Sequence, residues 1–278
     1  MLVYRGMDIG TAKPSRAERE KIPHHLIDVL SSGSNFSVYA YRREALRAVH
    51  KILKRGKIPL VVGGSGLYLN TLWKGLSGQP GGNEKLRREL NREAGEKGLS
   101  YLYERLRKID PRRATQIHPN DRRRILRALE ITELSGRTSS EWFRERESLE
   151  DLGYSVRLFG IRRERSDLYE RLNRRVEQMF RKGFVREVSR LRRSGFSKTA
   201  RQALGYREIL EHLKERRRAD EIQGLIQKIQ KRTRQFAKRQ LTWFRREKEI
   251  EWLDWKKGET AAKVCGQIAA QVKDWIGS

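Results

Sequence analysis

An α/β fold built on a parallel sheet and carrying a helical insertion is what three observations in this 278-residue sequence predict. Short apolar runs bounded by glycine and proline alternate with amphipathic helices. A Gly-rich turn follows one of those runs, and the stretch from 82 to 150 has helical periodicity with no strand candidate.

Taken in order, residues 25–29 (HLIDV) and 58–62 (IPLVV) read as buried strands, the second running into Gly63 and Gly64. A helix lies between them. Ser37 can cap its N-terminus, Val38, Tyr41, Ala45, Val49 and Ile52 mark its apolar face, and Lys54, Arg55 and Gly56 suit its end. Strand, helix, strand is the βαβ unit of a parallel sheet. Helices follow at 84–94, 99–108 and 121–134, then a strand at 156–161. A second helical block covers 166–182, 187–193, 203–215 and 220–247; a strand at 250–253 and an amphipathic helix over 259–276 close the chain. The domains read from this pattern are 1–80 with 151–278 as the α/β core, and 81–150 as the insertion.

Composition narrows the partners. Lys+Arg number 63 against 35 Asp+Glu, a formal charge of +28, and 35% of residues are charged. An ordinary domain is about 25% charged, so this excess implies a polyanionic partner, nucleic acid or an anionic membrane surface. About +8 sits in residues 1–80 and +20 in 81–278. Mean hydropathy is −0.81. No apolar run approaches the about 20 residues a spanning helix needs, and the first residues show neither a leader pattern nor a lipidation signal. The single cysteine, Cys265, excludes an intrachain disulfide and a Cys-based zinc site. A cytosolic protein without membrane attachment is expected. With 37% hydrophobic residues and 6 Trp, 9 Tyr and 8 Phe, the chain can bury a core.

Several segments bear on chemistry, each with a plainer alternative. Residues 4–14 (YRGMDIGTAKP) have the small residues of a loop whose backbone approaches a ligand, or of an ordinary surface loop. Residues 61–68 (VVGGSGLY) feed a strand through a Gly turn into a helix, aiming N–H groups and the Ser65 hydroxyl at the strand's carboxyl end. G-x-x-x-x-G-K-[ST] occurs nowhere in these 278 residues. The run 121–127 (DRRRILR) places arginines along a helix, where they track phosphates or form a solvated face. In 171–179, Leu172, Val176 and Met179 read as core. In 232–246, Arg234, Lys238, Arg245 and Arg246 interleave with Phe236, Trp243 and Phe244, joining charge to stacking surface as unpaired RNA bases require. His24 and His25 lack companions at metal-ligand spacing, and Asp8, Asp28, Asp110 and Asp121 are too scattered to nominate a carboxylate pair.

Together YRGMDIGTAKP at 4–14, PHHLID at 23–28, VGGSGLYL at 62–69, DPRRATQIHPNDRRRILRALEI at 110–131, RRVEQMFRKGF at 174–184, QALGYRE at 202–208 and TRQFAKRQLTWFR at 233–245 resemble the bacterial tRNA dimethylallyltransferase (tRNA isopentenyltransferase) family over almost the whole chain. The resemblance implies a P-loop kinase-like parallel sheet with a helical insertion that contacts tRNA. It implies transfer of the dimethylallyl group of dimethylallyl diphosphate to N6 of adenosine 37, beside the anticodon, with Mg²⁺ and release of diphosphate. A monomer is expected.

By carry-over, Arg175 holds the diphosphate and Ser65 touches the target adenosine as the two catalytic candidates. The tRNA contacts fall on Met1, Leu2, Ser65 and Arg87; on Arg123, Arg124, Ile125, Leu126 and Arg127; on Gln202, Ala203, Leu204, Gly205, Tyr206 and Arg207; and on Lys238, Arg239, Gln240, Leu241, Thr242, Trp243, Phe244 and Arg245. In the family a first strand, a Walker A-type loop and the general-base Asp lie upstream of the segment that here begins at Val3. The first strand and P-loop are therefore missing from this sequence. The chain is expected to bind tRNA without transferring the prenyl group, with no metal ligands of its own and with one sheet edge left unpaired. Alternatives from other classes are a nucleotide kinase relative, disfavoured without a triphosphate cradle, a noncatalytic RNA-binding protein, and a DNA-binding regulator, disfavoured without a helix-turn-helix.

Overall fold

A computed structural model describes residues 1–215 and 221–277 and divides the chain into two compact units, Met1–Leu69 with Arg157–Ser278, and Asn70–Val156. In chain order, α1 (Arg16–Lys21), α2 (Val38–Leu53) and the start of α3 (Gly66–Trp73) belong to the first unit. The second holds α4 (Glu84–Glu96), α5 (Leu99–Ile109), α6 (Pro111–Ala114), α7 (Arg122–Ser135) and α8 (Ser139–Arg144). The chain then returns to the first unit with β1 (Leu158–Arg162), α9 (Arg165–Arg181), α10 (Phe184–Ser194), α11 (Lys198–Arg201), α12 (Tyr206–Lys214), α13 (Ile222–Phe244), β2 (Ile250–Asp254) and α14 (Ala261–Gly277). The helix expected over 220–247 is α13; its first expected residue, Asp220, lies outside the described residues.

The sheet is small. β1 and β2 pair in parallel, Leu158 opposite Ile250 through Arg162 opposite Asp254, as the two later apolar runs predict. A side chain at Gly160 would sit 2.7 Å from Trp252, so the glycine lets the indole lie across the ladder.

The two earlier runs do not become strands, which corrects the expectation for 25–29 and 58–62. Leu26 and Asp28 take positive φ, 61° and 56°, and break the extended run. What remains is one parallel bridge, Tyr4 with Leu30, in which Leu30 N–H donates to Val3 and Arg5 N–H to Leu30. At 58–62, Leu60 and Val62 are 80% and 82% exposed, and no backbone hydrogen bond reaches these residues among the described ones. A parallel strand needs a paired neighbour to satisfy its backbone; an apolar run without one stays unpaired.

The helices follow their local chemistry. The Ser37 hydroxyl accepts from Ala40 N–H at 3.1 Å to start α2, and Ala45 and Val49 bury its face. Asp121 caps α7 by accepting from Arg124 N–H, and Gly136 at φ +68° ends it. The first unit's core gathers Tyr4, Met7, Phe184, Val188, Tyr206, Ile209 and Ile229; the second unit's gathers Leu90, Leu102, Leu106, Ile125 and Leu129. In the second unit Leu149 N–H donates to Trp73 and the Trp73 indole donates to Glu150, which ties the segment just before residue 81 to the end of 81–150. Among the described residues no helix is long and apolar enough to cross a membrane.

Candidate functional site

The loop after Tyr4 is held by a buried carboxylate. Glu187 lies on the apolar stripe of α10 with Phe184, Val188 and Leu191, all buried. Its Oε2 accepts from Asp8 N–H at 3.0 Å and Ile9 N–H at 2.7 Å. Its Oε1 accepts from Gly10 N–H at 3.3 Å and from the Tyr206 phenol at 2.6 Å. Burial, reinforced by the bond to Glu187, drives the Tyr206 phenol far above its ordinary pKa, so it remains a donor. Gly10 must be glycine, because a Cβ there would stand 2.1 Å from the Phe184 ring.

A cation closes the same loop. Lys13 Nζ, 3% exposed, donates to the Tyr4 carbonyl at 2.8 Å, to Asp8 at 2.6 Å and to Asp28. Arg19 meets the other Asp28 oxygen at 2.9 Å. Burial alone would raise the Asp28 carboxyl, but the bonds and charges of Lys13 and Arg19 outweigh it and hold the group below its usual range.

Arg175, on α9, reaches this loop through a long contact, Nη2 to the Thr11 carbonyl at 3.5 Å. Its side chain is exposed, while the protein around it lowers the guanidinium pKa by desolvation. It forms no ion pair among the described residues. It is therefore an uncommitted cation beside a fixed loop, as anion binding requires.

Ser65 sits elsewhere in the first unit, exposed just before α3, with its carbonyl accepting from Leu69 N–H at 3.0 Å. Its neighbours rest on α13: the Gly64 carbonyl accepts from Gln240 at 2.7 Å, and Gly66 packs on Trp243 so closely that a Cβ would come within 2.5 Å of the indole. The structure thus sets the turn that carries Ser65 against Gln240 and Trp243 through the glycines on either side of it. Trp243 meets Phe244 edge to face at 4.8 Å, and Lys238, Arg239, Thr242 and Arg245 are exposed along the same segment, with Leu241 half-buried. α13 packs on α9, where Arg234 donates to Asn173 at 2.6 Å.

The other sequence-derived candidates divide. Arg123 is exposed, and Arg124 pairs at 3.3 Å with Asp121. Ile125 and Leu126 are buried core. Arg87 and Arg127 both pair with Glu130, whose side chain is fully buried, at 2.8 and 2.6 Å. In QALGYRE, Gln202 and Arg207 are exposed, Leu204 is half-buried, and Ala203, Gly205 and Tyr206 are buried; Glu208 accepts from Gly205 N–H at 2.8 Å. Met1 is 42% exposed, and the Leu2 carbonyl accepts from Asp28 N–H.

Sequence reasoning missed Glu187 and Lys13. The signal for Glu187 was available, since a carboxylate among apolar residues three and four apart must find buried partners. No group of three or more metal-ligating side chains occurs among the described residues; of the carboxylates at the loop, Glu187 is bonded to its amides, and Asp8 and Asp28 pair with Lys13. These residues do not by themselves fit a Mg²⁺ site.

The profile described as IPP transferase matches residues 2–247. The chain belongs to the IPP transferase family. Relatives named tRNA dimethylallyltransferase include one from Geobacter sulfurreducens, 46% identical over 92% of this chain and 81% of its own length, and one from Carboxydothermus hydrogenoformans, 44% identical over 98% and 86%. Among solved structures, the full-length tRNA isopentenylpyrophosphate transferase of Bacillus halodurans is 35% identical, with a TM-score of 0.67, and the match covers 98% of this chain and 86% of that one. A eukaryotic dimethylallyltransferase acting on tRNA is 28% identical with a TM-score of 0.75, covering all of this chain and 71% of that one. This member of the family shares with them a helix-rich α/β architecture around a small parallel sheet.

Proposed function

We propose that this IPP transferase family member acts in transfer of the dimethylallyl group from dimethylallyl diphosphate to N6 of adenosine 37 in tRNA. The observation that carries the reading is the family match over 2–247, with relatives named tRNA dimethylallyltransferase at 46% and 44% identity. In this reading the core is P-loop kinase-like, and the helical insertion and α13 grip the anticodon stem-loop. The protein works in the cytoplasm as a monomer.

The chemistry assigns roles by charge. An allylic diphosphate leaves when its growing negative charge is held. Arg175, exposed and unpaired beside Thr11, supplies a guanidinium for it. Glu187 and Lys13 keep the loop from shifting as the anion binds. Ser65, placed with Gln240 and Trp243, offers a hydroxyl to the flipped adenine beside an aromatic surface. Mg²⁺ remains a proposed companion of the diphosphate, and no step is derived through it.

The test supplies labelled dimethylallyl diphosphate and a tRNA anticodon stem-loop, and follows both RNA binding and label transfer. Stem-loop binding in preference to duplex DNA of equal length supports the reading; equal affinity for both contradicts it. Label on the RNA supports the transfer reading, and stem-loop binding with no label transferred contradicts it.

A further inference from the structure

The second unit contains a pair of arginines that form no ion pair among the described residues. The guanidinium carbons of Arg113 and Arg146 lie 4.2 and 3.9 Å from the centre of one ring, Phe143. Both side chains are half-buried, and the Nε atom of each is enclosed without a hydrogen-bond partner. Arg113 spends one N–H on Gln116 at 3.1 Å. Its nearest acid, Asp110, is occupied by the Arg113 backbone N–H and by the N–H and hydroxyl of Ser140. Arg146 has no polar partner among the described residues.

Three other stacked arginines have acids, whereas Arg165 and Arg234 on Tyr169 and Arg239 on Phe236 lie farther from their rings, at 5.2, 6.0 and 5.9 Å, and form no ion pair among the described residues. Arg137 stacks on Trp142 and pairs with Glu145; Arg157 stacks on Phe159 and pairs with Glu251; Arg163 stacks on Trp255 and pairs with Asp167. Stacking orients a guanidinium and strips part of its water. The adjacent carboxylate then replaces what was lost. At Phe143 that second half is missing, and two like charges are brought together instead. Burial lowers the pKa of both groups, and the charges of Arg146 and then Arg124 depress Arg113 further, offset only in part by Asp110. Such a pair is stable at little cost only when an anion with several acceptor oxygens joins it.

We propose that Arg113 and Arg146, ordered on Phe143, clamp one phosphodiester of the RNA backbone next to Arg124. A phosphate presents oxygens to two forks at once, which a carboxylate between them could do only in part. Arg124 makes the choice of a polymer over a free ion, because it extends the cluster into the basic run 122–127, a line of charge suited to successive phosphates. The proposal rests on the tRNA reading above and adds to it two residues that the run itself does not contain.

The test is a fluorescence-anisotropy titration of an anticodon stem-loop at several KCl concentrations. Proteins compared are the unmodified chain, the double variant Arg113→Gln with Arg146→Gln, and a charge-matched control, Arg88→Gln with Arg144→Gln, both exposed in the same unit. The clamp variant is expected to bind about tenfold more weakly than the control at fixed salt, with the slope of log K against log salt smaller by about 1. Its thermal midpoint is expected to equal or exceed that of the unmodified chain, since a repulsive pair is gone. Arg113→Lys with Arg146→Lys, which keeps the charge and loses the fork, is expected to weaken binding as well and guards against a misfolded first variant. Affinity and slope equal to the control's overturn the clamp, as does a lowered midpoint with unchanged affinity, which would make the stacking purely structural. Inorganic phosphate at millimolar concentration is the last arm: a midpoint shift as large as the stem-loop's would assign the site to a free anion and overturn the RNA assignment. An unmodified chain that fails to bind the stem-loop overturns the tRNA reading and the clamp together, whereas binding that only the 123–127 run controls overturns the clamp alone.

Discussion

Replacing Glu187 by Gln changes one acceptor oxygen into a donor at the point where the 8–10 loop is fastened. Each carboxylate oxygen serves two donors, Oε2 the Asp8 and Ile9 amides and Oε1 the Gly10 amide and the Tyr206 phenol. Whichever way the amide turns, two donors lose their acceptor. Hydrogen bonds to a charged group contribute about 1.5–3 kcal/mol each, and some of the freed amides can recover water at the loop surface, so a cost of roughly 3–4 kcal/mol is expected. That is a large part of the about 5–15 kcal/mol that holds a domain folded. Urea unfolding measures it, and amide exchange locates it: protection should fall at residues 8–10 before it falls at Val188 or Ile209. Tyr206→Phe removes one of the four bonds and should cost about half as much. An unchanged urea midpoint, or exchange at 8–10 no faster than in the unmodified chain, would refute the claim that Glu187 anchors this loop.

Three further outcomes follow from the same contacts. Burial alone would raise the Glu130 carboxyl, but its bonds to Arg127, Arg87 and the Asn83 amide outweigh it, so its pKa lies below the ordinary 4.5. Its stabilisation is therefore complete above about pH 4.5 and lost as pH falls through the lower folded value; Glu130→Gln should cost about 2–4 kcal/mol at neutral pH and flatten the acid limb of the urea midpoint. Arg175→Ala should weaken binding of dimethylallyl diphosphate while leaving stability nearly unchanged, and in a transferring enzyme of this family should cost about 2–4 kcal/mol of transition-state stabilisation, read as kcat/KM. Gly10→Ala should destabilise by about 1–3 kcal/mol in urea melts, because the added methyl meets the Phe184 ring at 2.1 Å.

What the sequence disclosed depended on how local the cause was. The Ser37 cap, the apolar face of α2, the extent of α7 and the β1 and β2 runs are written within a few residues, and the structure has them where the pattern places them, while Ile125 and Leu126, carried over as tRNA contacts, are buried instead. The segments 25–29 and 58–62 have strand composition too, but a strand is decided by its neighbours. Positive φ at Leu26 and Asp28 and the unpaired backbone of 58–62 leave no trace in composition. At the site, motif carry-over led to Arg175 and Ser65 but said nothing of what positions them. Glu187 could have been suspected from its place on the stripe of Phe184, Val188 and Leu191. The Arg113, Phe143 and Arg146 cluster could not, since its members lie more than thirty residues apart at their widest and meet only through the packing of the second unit.

The central claim is that this family member grips the backbone of tRNA with its excess of basic residues, most of them in 81–278. Equilibrium binding of an anticodon stem-loop, measured across a series of KCl concentrations with duplex DNA as competitor, tests it most directly. Neutralisation of about six phosphates predicts a slope of log K against log salt near −4 to −5, with the stem-loop preferred over the duplex. A flat salt dependence, or displacement of the stem-loop by an equal concentration of duplex DNA, would contradict it.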